Sequence, residues 1–155
     1  MLSSQPVRRG LQTDDPGRAQ ESVSSLYESS VSLAVDGSTP FRYEMAALAH
    51  PEAAAAAIRF TGTMRSATHA FPRIIVAHAA QGSHRWHVGG ESGDGRTPFV
   101  VPPETEFTAE FRQLHLRTFS ITVETLDHVL RALIGDDPRN LQFAGLNRRA
   151  ENPRL

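Results

Sequence analysis

Three side chains of types that can bind a metal ion lie close together in the sequence: His84, His87 and Glu91. Imidazole and carboxylate groups are common ligands of zinc and iron. Their spacing argues against a shared site, because residues on one face of a β-strand are two apart, whereas His84 and His87 are three apart. Gly89 and Gly90 follow at once and disfavour a helix that would realign the two rings. We therefore expect no bound metal and no cofactor.

Nucleophilic catalysis is equally poorly supported by the residue pattern. Serine and histidine are plentiful, but no G-x-S-x-G sequence provides a nucleophile elbow, and the absence of cysteine excludes a thiolate nucleophile. The glycines of residues 89–95 lack both the G-x-G-x-x-G spacing and the lysine of a phosphate-binding loop. We expect that the chain is not an enzyme.

A ligand pocket is the more plausible use of the same segment. His84 and Trp86 fall on one face of a predicted strand, and an aromatic wall with a few polar groups is typical of small-molecule pockets. Arg73 and His78, on the strand before it, are further candidates for the pocket. The alternatives are that Trp86 fills the core and that Arg73 and His78 have surface or structural roles.

Two helices are predicted, one near each end of the chain. Asp15 and Pro16 begin the first, and its apolar face comprises Ala19, Val23, Leu26 and Tyr27. Thr122 caps the second, Asp127 and Arg131 pair on its polar face, and Gly135 ends it. Its apolar stripe consists of Leu126, Val129, Leu130, Leu133 and Ile134. The stripe either packs on the rest of the domain or faces a second copy, and we assign Leu126, Val129, Leu130 and Leu133 to a dimer helix.

The residues between these helices mostly alternate between apolar and polar types, which indicates strands. Strands are predicted over residues 31–35, 41–48, 59–64, 73–77, 83–88, 99–101, 107–112 and 114–121. Ala-rich residues 53–57 favour one helical turn, Gln81 and Gly82 favour a hairpin turn, and residues 89–95 favour an exposed loop. A bulge near Arg117 and Thr118 would keep the apolar residues of the last strand facing inward. The fold class is mainly β (α+β), a sandwich or small barrel.

Composition limits the partners that the chain can have. Its 155 residues suit one domain, and its net charge of −1 lacks the positive field that phosphate binding requires. Arg8 and Arg9 are not followed by an apolar stretch, so we expect neither secretion nor a membrane span, and we place the protein in the cytoplasm.

The order of several segments resembles one known family. The segments include Phe41-Arg42-Tyr43, residues 58–62, residues 75–82, residues 98–103, residues 116–121 and Leu141-Gln142-Phe143. Over residues 20–150 they resemble the AraC-binding-like N-terminal domain of AraC/XylS-type transcription regulators. The resemblance implies a cupin-like β-barrel or jelly roll that binds a small-molecule effector and forms a homodimer. DNA would be bound only by an attached helix-turn-helix domain, for which residues 136–155 leave no room.

These expectations divide the chain into three parts. Residues 1–13 would be a flexible leader, residues 14–135 the effector-binding and dimerisation domain, and residues 136–155 the start of a linker. Two alternatives remain: a metal-dependent cupin enzyme, and a dimerisation module whose filled barrel binds no ligand.

Overall fold

The computed structural model describes residues 4–135, and in that part it contains two helices and nine strands. In chain order the elements are β1 (Val7–Thr13), α1 (Pro16–Tyr27), β2 (Ser32–Val35), β3 (Arg42–Ala49), β4 (Ala53–Thr61), β5 (Thr63–Thr68), β6 (Arg73–Val88), β7 (Glu91–Asp94), β8 (Phe99–Val101), β9 (Phe107–Thr122) and α2 (Val123–Ile134). None of the helices within residues 4–135 is long and apolar enough to cross a membrane.

The strands form one curled antiparallel sheet organised around β9. The order is β1-β3-β4-β9-β5-β2, and β6 pairs with β9 and carries β7 and β8. The first half of β9 pairs with β5 and its second half with β4, while β6 follows it on the other side throughout. Helix α1 contacts β1, β2 and β3, so it joins both ends of the strand order and closes the curl over the apolar core.

Helix α1 forms as predicted from its cap and its period. The Asp15 side chain accepts hydrogen bonds from the backbone N–H groups of Gly17 and Arg18, which satisfies two free donors of the first turn. The residues that the helix buries are Ala19, Val23, Leu26 and Tyr27. These are the four residues of the predicted apolar face.

Two of the strands that sequence patterns missed lie at the N-terminus and in the alanine run. The prediction of a flexible leader over residues 1–13 was wrong for residues 7–13, which form β1 along the edge of β3. Residues 53–57 belong to β4 and not to a helical turn. Ala54 and Ala56 are buried inside the sheet, and pairing with β3 on one side and β9 on the other outweighs the helix propensity of alanine.

The predicted hairpin at Gln81 and Gly82 was also wrong, because β6 is continuous across them. The pairing of β6 with β9 shifts register between Ala79 and Ser83. Gly82 has a φ of 92° and lies against Gln113 of β9, which has a φ of 51°. Both long strands are therefore irregular at the same place, where a bulge bends the sheet.

Residues 89–95 form a tight turn and a strand and not an open loop. The chain reverses after β6, and β7 returns along it, with Val88 opposite Glu91 and Arg85 opposite Asp94. Short polar side chains and glycines in β7 carry little apolar signal, which is why the segment has the composition of a loop.

The irregularity in β9 lies at Gln113 and not at the predicted position near Arg117. Beyond it Leu114, Thr118 and Ser120 are buried inside the curl. Phe119 has the opposite parity and is 47% exposed on the outer face. The expectation that Phe119 points inward was therefore wrong.

Helix α2 has the predicted caps but is poorly covered. The Thr122 hydroxyl accepts from the backbone N–H of Thr125, and the Arg131 Nε lies 2.8 Å from Asp127 Oδ2. Gly135, which has a φ of 81°, donates its backbone N–H to the carbonyl of Arg131. No residue of α2 is fully buried within residues 4–135: Leu126 and Leu130 of its apolar stripe are half-buried, and Val129, Leu133 and Ile134 are exposed. The predicted linker over residues 136–155 lies outside the described residues.

Candidate functional site: the interior cavity

A cavity of about 70 Å³ lies inside the curl of the sheet. One water molecule needs roughly 10–15 Å³ of such space, so the interior is not completely filled. Its lining is apolar and aromatic, with few polar groups. Helix α1 contributes Val23 and Tyr27, β6 contributes His84, and the remaining walls are formed by Val31, Leu33, Ile58, Phe60, Ser66, Phe71, Phe107, Phe111, Leu114 and Leu116.

His84 is the main polar group of this cavity. It is only 6% exposed, and its Nδ1 is buried without a hydrogen-bond partner in the described part of the chain. The ring stacks on Phe99, with centroids 5.3 Å apart and planes 25° apart. Burial lowers the pKa of His84 to about 4, against a smaller opposing effect of the Asp94 carboxylate. At neutral pH the cavity therefore presents an uncharged imidazole.

Trp86 lies next to His84 on the same face of β6 but fills the core. Its ring also stacks on Phe99, with centroids 4.9 Å apart and planes 17° apart. Its Nε1 donates to the backbone oxygen of Asp94 at 3.0 Å. A Cβ at Gly93 would approach the indole to 2.6 Å, so the absence of a side chain there makes room for the ring. Trp86 therefore packs against Phe99, the same ring on which His84 stacks.

Tyr27 of α1 adds a second polar side chain to the cavity lining. Its phenol oxygen lies 2.7 Å from the Thr118 hydroxyl, and burial raises the pKa of Tyr27 far above its ordinary value. The sequence pattern predicted Tyr27 as part of a buried helix face but did not indicate its hydrogen bond with Thr118. The two partners are 91 residues apart, and no local pattern relates them.

Arg73 and His78, also predicted for the pocket, do not line the cavity. Arg73 is buried at the start of β6, where its Nη2 donates to Glu28 Oε2 at 3.1 Å and to the backbone oxygen of Pro51 at 2.8 Å. The Nε2 of His78 lies 3.2 Å from the backbone oxygen of Arg96. Arg73 is thus engaged in a structural network, and His78 has the outward parity of β6. Of the four predicted pocket residues, only His84 lines the cavity.

The metal arrangement considered from the sequence is not assembled. His84 is buried and His87 is exposed, as the spacing of three on a strand requires. Within residues 4–135 no group of three or more histidine, aspartate or glutamate side chains could hold a metal ion.

Comparison with known proteins gives structural matches only. No family model matches the sequence, and no curated protein matches it. The AraC-like transcriptional activator CuxR is similar over 82% of this chain and 51% of its own length, with 9% identity and a TM-score of 0.59. This chain therefore spans about half of that activator.

Two further structural matches have lower scores. The cupin domain of Cnp3 from Schizosaccharomyces pombe is 16% identical, covers 63% of this chain and 75% of its own, and has a TM-score of 0.46. A cupin 2 conserved barrel domain protein from Rhodopseudomonas palustris is 17% identical, and the match covers 60% of this chain and 72% of that protein with a TM-score of 0.41.

The curled antiparallel sheet with its two helices confirms the predicted fold class, which is mainly β with helices. At 9% identity the similarity to CuxR shows a shared fold and nothing of its role.

Proposed function

We propose that the chain is the effector-sensing and dimerisation domain of an AraC-type transcription regulator. A small molecule bound in the cavity changes how α2 contacts a second copy, and an attached helix-turn-helix domain transmits that change to DNA. In this proposal the domain is cytoplasmic and catalyses no reaction.

The observation that carries the proposal is that one strand, β9, both lines the cavity and leads directly into α2. Phe111, Leu114 and Leu116 of β9 line the cavity. Thr118, on the same face, is hydrogen-bonded to Tyr27, and Thr122 caps α2 directly. A ligand that displaces the cavity wall therefore acts on the strand from which the helix begins. Such coupling requires that the ligand binds the two arrangements with different affinity.

The fold and the cavity provide further support. The fold is shared with an AraC-like activator over most of this chain. Unfilled interior space favours a ligand-binding domain over a completely filled dimerisation module. Because the lining is apolar and the imidazole of His84 is uncharged, the cavity favours a small uncharged effector with one hydrogen-bonding group.

Fluorescence titration tests the effector site, because Trp86 is the single tryptophan of the chain and stacks on the ring beneath His84. Phenol, toluene and benzoate serve as probes that differ in hydrogen bonding and charge. Each is larger than the free space of about 70 Å³, so binding requires the cavity wall to move. Phenol is expected to change Trp86 emission saturably and to bind more tightly than toluene, while benzoate binds least. No saturable change with any probe, together with no shift in thermal midpoint, would contradict the proposal.

Two variants locate the binding. Leu33→Phe fills the cavity from β2 and is expected to abolish the phenol response. Leu11→Phe is the matched control, since Leu11 is partly buried outside the cavity lining. Sedimentation equilibrium with and without phenol then tests the coupling, because an effector that acts through α2 must change the dimer dissociation constant.

A further inference from the structure

A shallow groove crosses the outer face of the sheet and is lined by residues of β1, β3, β4 and β9. Ala55 and Ala57 of β4 form its floor. In the register of the sheet, Leu48 of β3 and Phe119 of β9 lie on either side of Ala55. Because neighbouring strands are about 4.8 Å apart, these two larger side chains stand on strands roughly 10 Å apart. The space above Ala55 can therefore take a large side chain from a partner.

The apolar side chains beside the groove are uncovered by the described part of the chain. Leu48 is 48% exposed and Phe119 is 47% exposed. Val76 of β6 lies opposite Phe119 and is 39% exposed. A single exposed apolar residue is ordinary, but three in one row of a sheet indicate an interaction surface.

The two ends of the groove are basic. Arg8 of β1 lies opposite Leu48, and Arg117 of β9 lies opposite Ala57. Both arginines are exposed, and neither forms an ion pair within residues 4–135. No acidic side chain of that part of the chain lines the groove, although the sequence has 17 acidic residues against 16 basic ones. Positive charge is therefore concentrated on this face.

A neighbouring imidazole responds to this charge. The pKa of His115 is lowered by partial burial and by the guanidinium groups of Arg59 and Arg117. Glu44, which lies opposite Arg59 on the same face, is paired with Arg42 at 3.2 Å. The arginines of β4 and β9 thus produce a positive field, which attracts an acidic partner.

The same charges decide between the possible occupants of the groove. Two copies that met through this face would bring their arginines together, which is unfavourable. Residues 136–155 contain four arginines and three acidic residues, so they supply no excess of negative charge. A chain of net charge −1 lacks the broad field that nucleic acids or anionic membranes require. The remaining occupant is an acidic segment of another protein that also carries apolar side chains.

The spacing of the two arginines suits a helix. Arg8 and Arg117 stand on strands that are three steps apart in the sheet order, which is roughly 14 Å. An α-helix with its side chains is about 10–12 Å wide, so a helix lying along β4 brings both of its flanks next to the arginines. A single extended strand, with a spacing of about 4.8 Å, is too narrow to reach both.

We propose that the groove binds an amphipathic helix of a partner protein, whose apolar side chains enter between Leu48 and Phe119 and whose carboxylates pair with the arginines at both ends. An apolar helix face laid into a groove is a common mode of peptide recognition. The inference goes beyond the proposed function, because it adds a protein partner that binds outside the cavity.

Fluorescence anisotropy with two labelled synthetic peptides tests the inference on the 155-residue chain. Both are peptides of about 18 residues with leucine every three or four positions. One carries glutamate on both flanks of the leucine stripe, and the other carries lysine there. The glutamate peptide is expected to bind saturably and at least about tenfold more tightly than the lysine peptide. No binding, or equal binding of the two peptides, would overturn the proposal.

Variants of the groove test the two kinds of contact. Arg117→Glu and Phe119→Ala are each expected to weaken binding of the glutamate peptide at least about fivefold. The double variant Arg8→Glu/Arg117→Glu is expected to prefer the lysine peptide. A reversed preference cannot result from a loss of folding, so this measurement is the decisive one. A double variant that still prefers the glutamate peptide would refute the pairing with the arginines.

Control variants carry matched changes outside the groove. Arg18→Glu alters an exposed arginine of α1, and Leu133→Ala truncates an exposed apolar residue of α2. Both are expected to bind the glutamate peptide as wild type does, and weaker binding by either would contradict the assignment to the groove. Leu48→Ala replaces Phe119→Ala if thermal unfolding indicates that the latter does not fold.

Two further measurements identify a different occupant. Sedimentation with phosphatidylserine vesicles tests a membrane, and sedimentation equilibrium tests a second copy of the chain. If Phe119→Ala weakens vesicle binding or dimerisation while the glutamate peptide does not bind, the proposal is overturned. Phenol should change the Trp86 emission of Arg117→Glu as in wild type. The effector site and the groove can therefore fail independently of each other.

Discussion

The phenol oxygen of Tyr27 lies 2.7 Å from the Thr118 hydroxyl and ties the last turn of α1 to the middle of β9. Both residues are buried. The Tyr27 ring also packs edge-on against Phe71, with centroids 5.6 Å apart. The helix that closes the curl is therefore fixed by an aromatic contact and a buried hydrogen bond, and the bond lies on the strand that leads to α2.

Tyr27→Phe is expected to destabilise the domain by about 1 kcal/mol, because it removes one buried hydrogen bond and keeps the ring. Urea unfolding measures the effect. Thr118→Val provides the other side of a double-mutant cycle. If the bond is real, the double variant loses less stability than the two single variants added together, and strict additivity would contradict it.

Glu28→Gln is expected to destabilise the domain by about 1–3 kcal/mol, because it leaves the guanidinium of Arg73 buried without an anionic partner. The Arg73 side chain is 4% exposed, whereas that of Glu28 is 60% exposed. Most of the cost therefore arises from Arg73. Asp127→Asn is the matched control, because it breaks an ion pair with two solvent-exposed partners and should cost less than about 0.5 kcal/mol. Equal losses for the two variants would exclude a special role of the buried guanidinium.

Periodicity and capping residues were sufficient to predict both helices and most strands. Asp15 and Thr122 cap helices whose apolar residues recur every three or four positions, and such patterns are local. The period of two also placed His84 and Trp86 on one face of their strand and His87 on the other, and in the structure the first face is the buried one. No comparable pattern marks β1, whose residues are mostly exposed on both faces at the edge of the sheet.

Features set by contacts between distant segments could not be predicted. Alanine forms a strand in β4 because two neighbouring strands enclose it, and the bulge at Gly82 depends on Gln113 across the ladder. The cavity has the same origin. Besides His84, it is lined by Tyr27 of α1 and Leu116 of β9, which are distant in sequence. A prediction limited to neighbouring segments therefore included Arg73 and His78, which do not line the cavity.

Gly82→Ala is expected to destabilise the domain by more than about 1 kcal/mol. Gly82 has a φ of 92°, and a Cβ there would collide with the carbonyl oxygen of Gln113 on the facing strand. Either β6 or β9 must shift. Gly37→Ala is the control, because its Cβ would meet nothing within 4 Å and its φ is not left-handed. Thermal unfolding of both variants is the measurement, and equal midpoints would contradict the bulge geometry.

The stability of the domain should depend on pH through the protonation of His84. Its pKa is about 4 in the folded chain, lowered from 6.5 by burial. Between pH 4 and pH 6.5 the unfolded chain protonates this imidazole more readily than the folded chain does. The contribution of His84 to the free energy of unfolding is therefore complete above pH 6.5 and is lost as the pH falls towards 4. The slope from one such group is at most about 1.4 kcal/mol per pH unit.

His84→Leu removes this titration, and urea unfolding at pH 7 and pH 5 compares the two proteins. Wild type is expected to lose more stability than the variant between these pH values. Between pH 7 and pH 8 the difference in stability between the two proteins should stay constant, because the imidazole is uncharged in both the folded and the unfolded chain. If the difference in stability between the two proteins is the same at pH 5 and pH 7, His84 is solvated in the folded chain. The cavity then lacks the uncharged imidazole on which its preference for uncharged effectors depends.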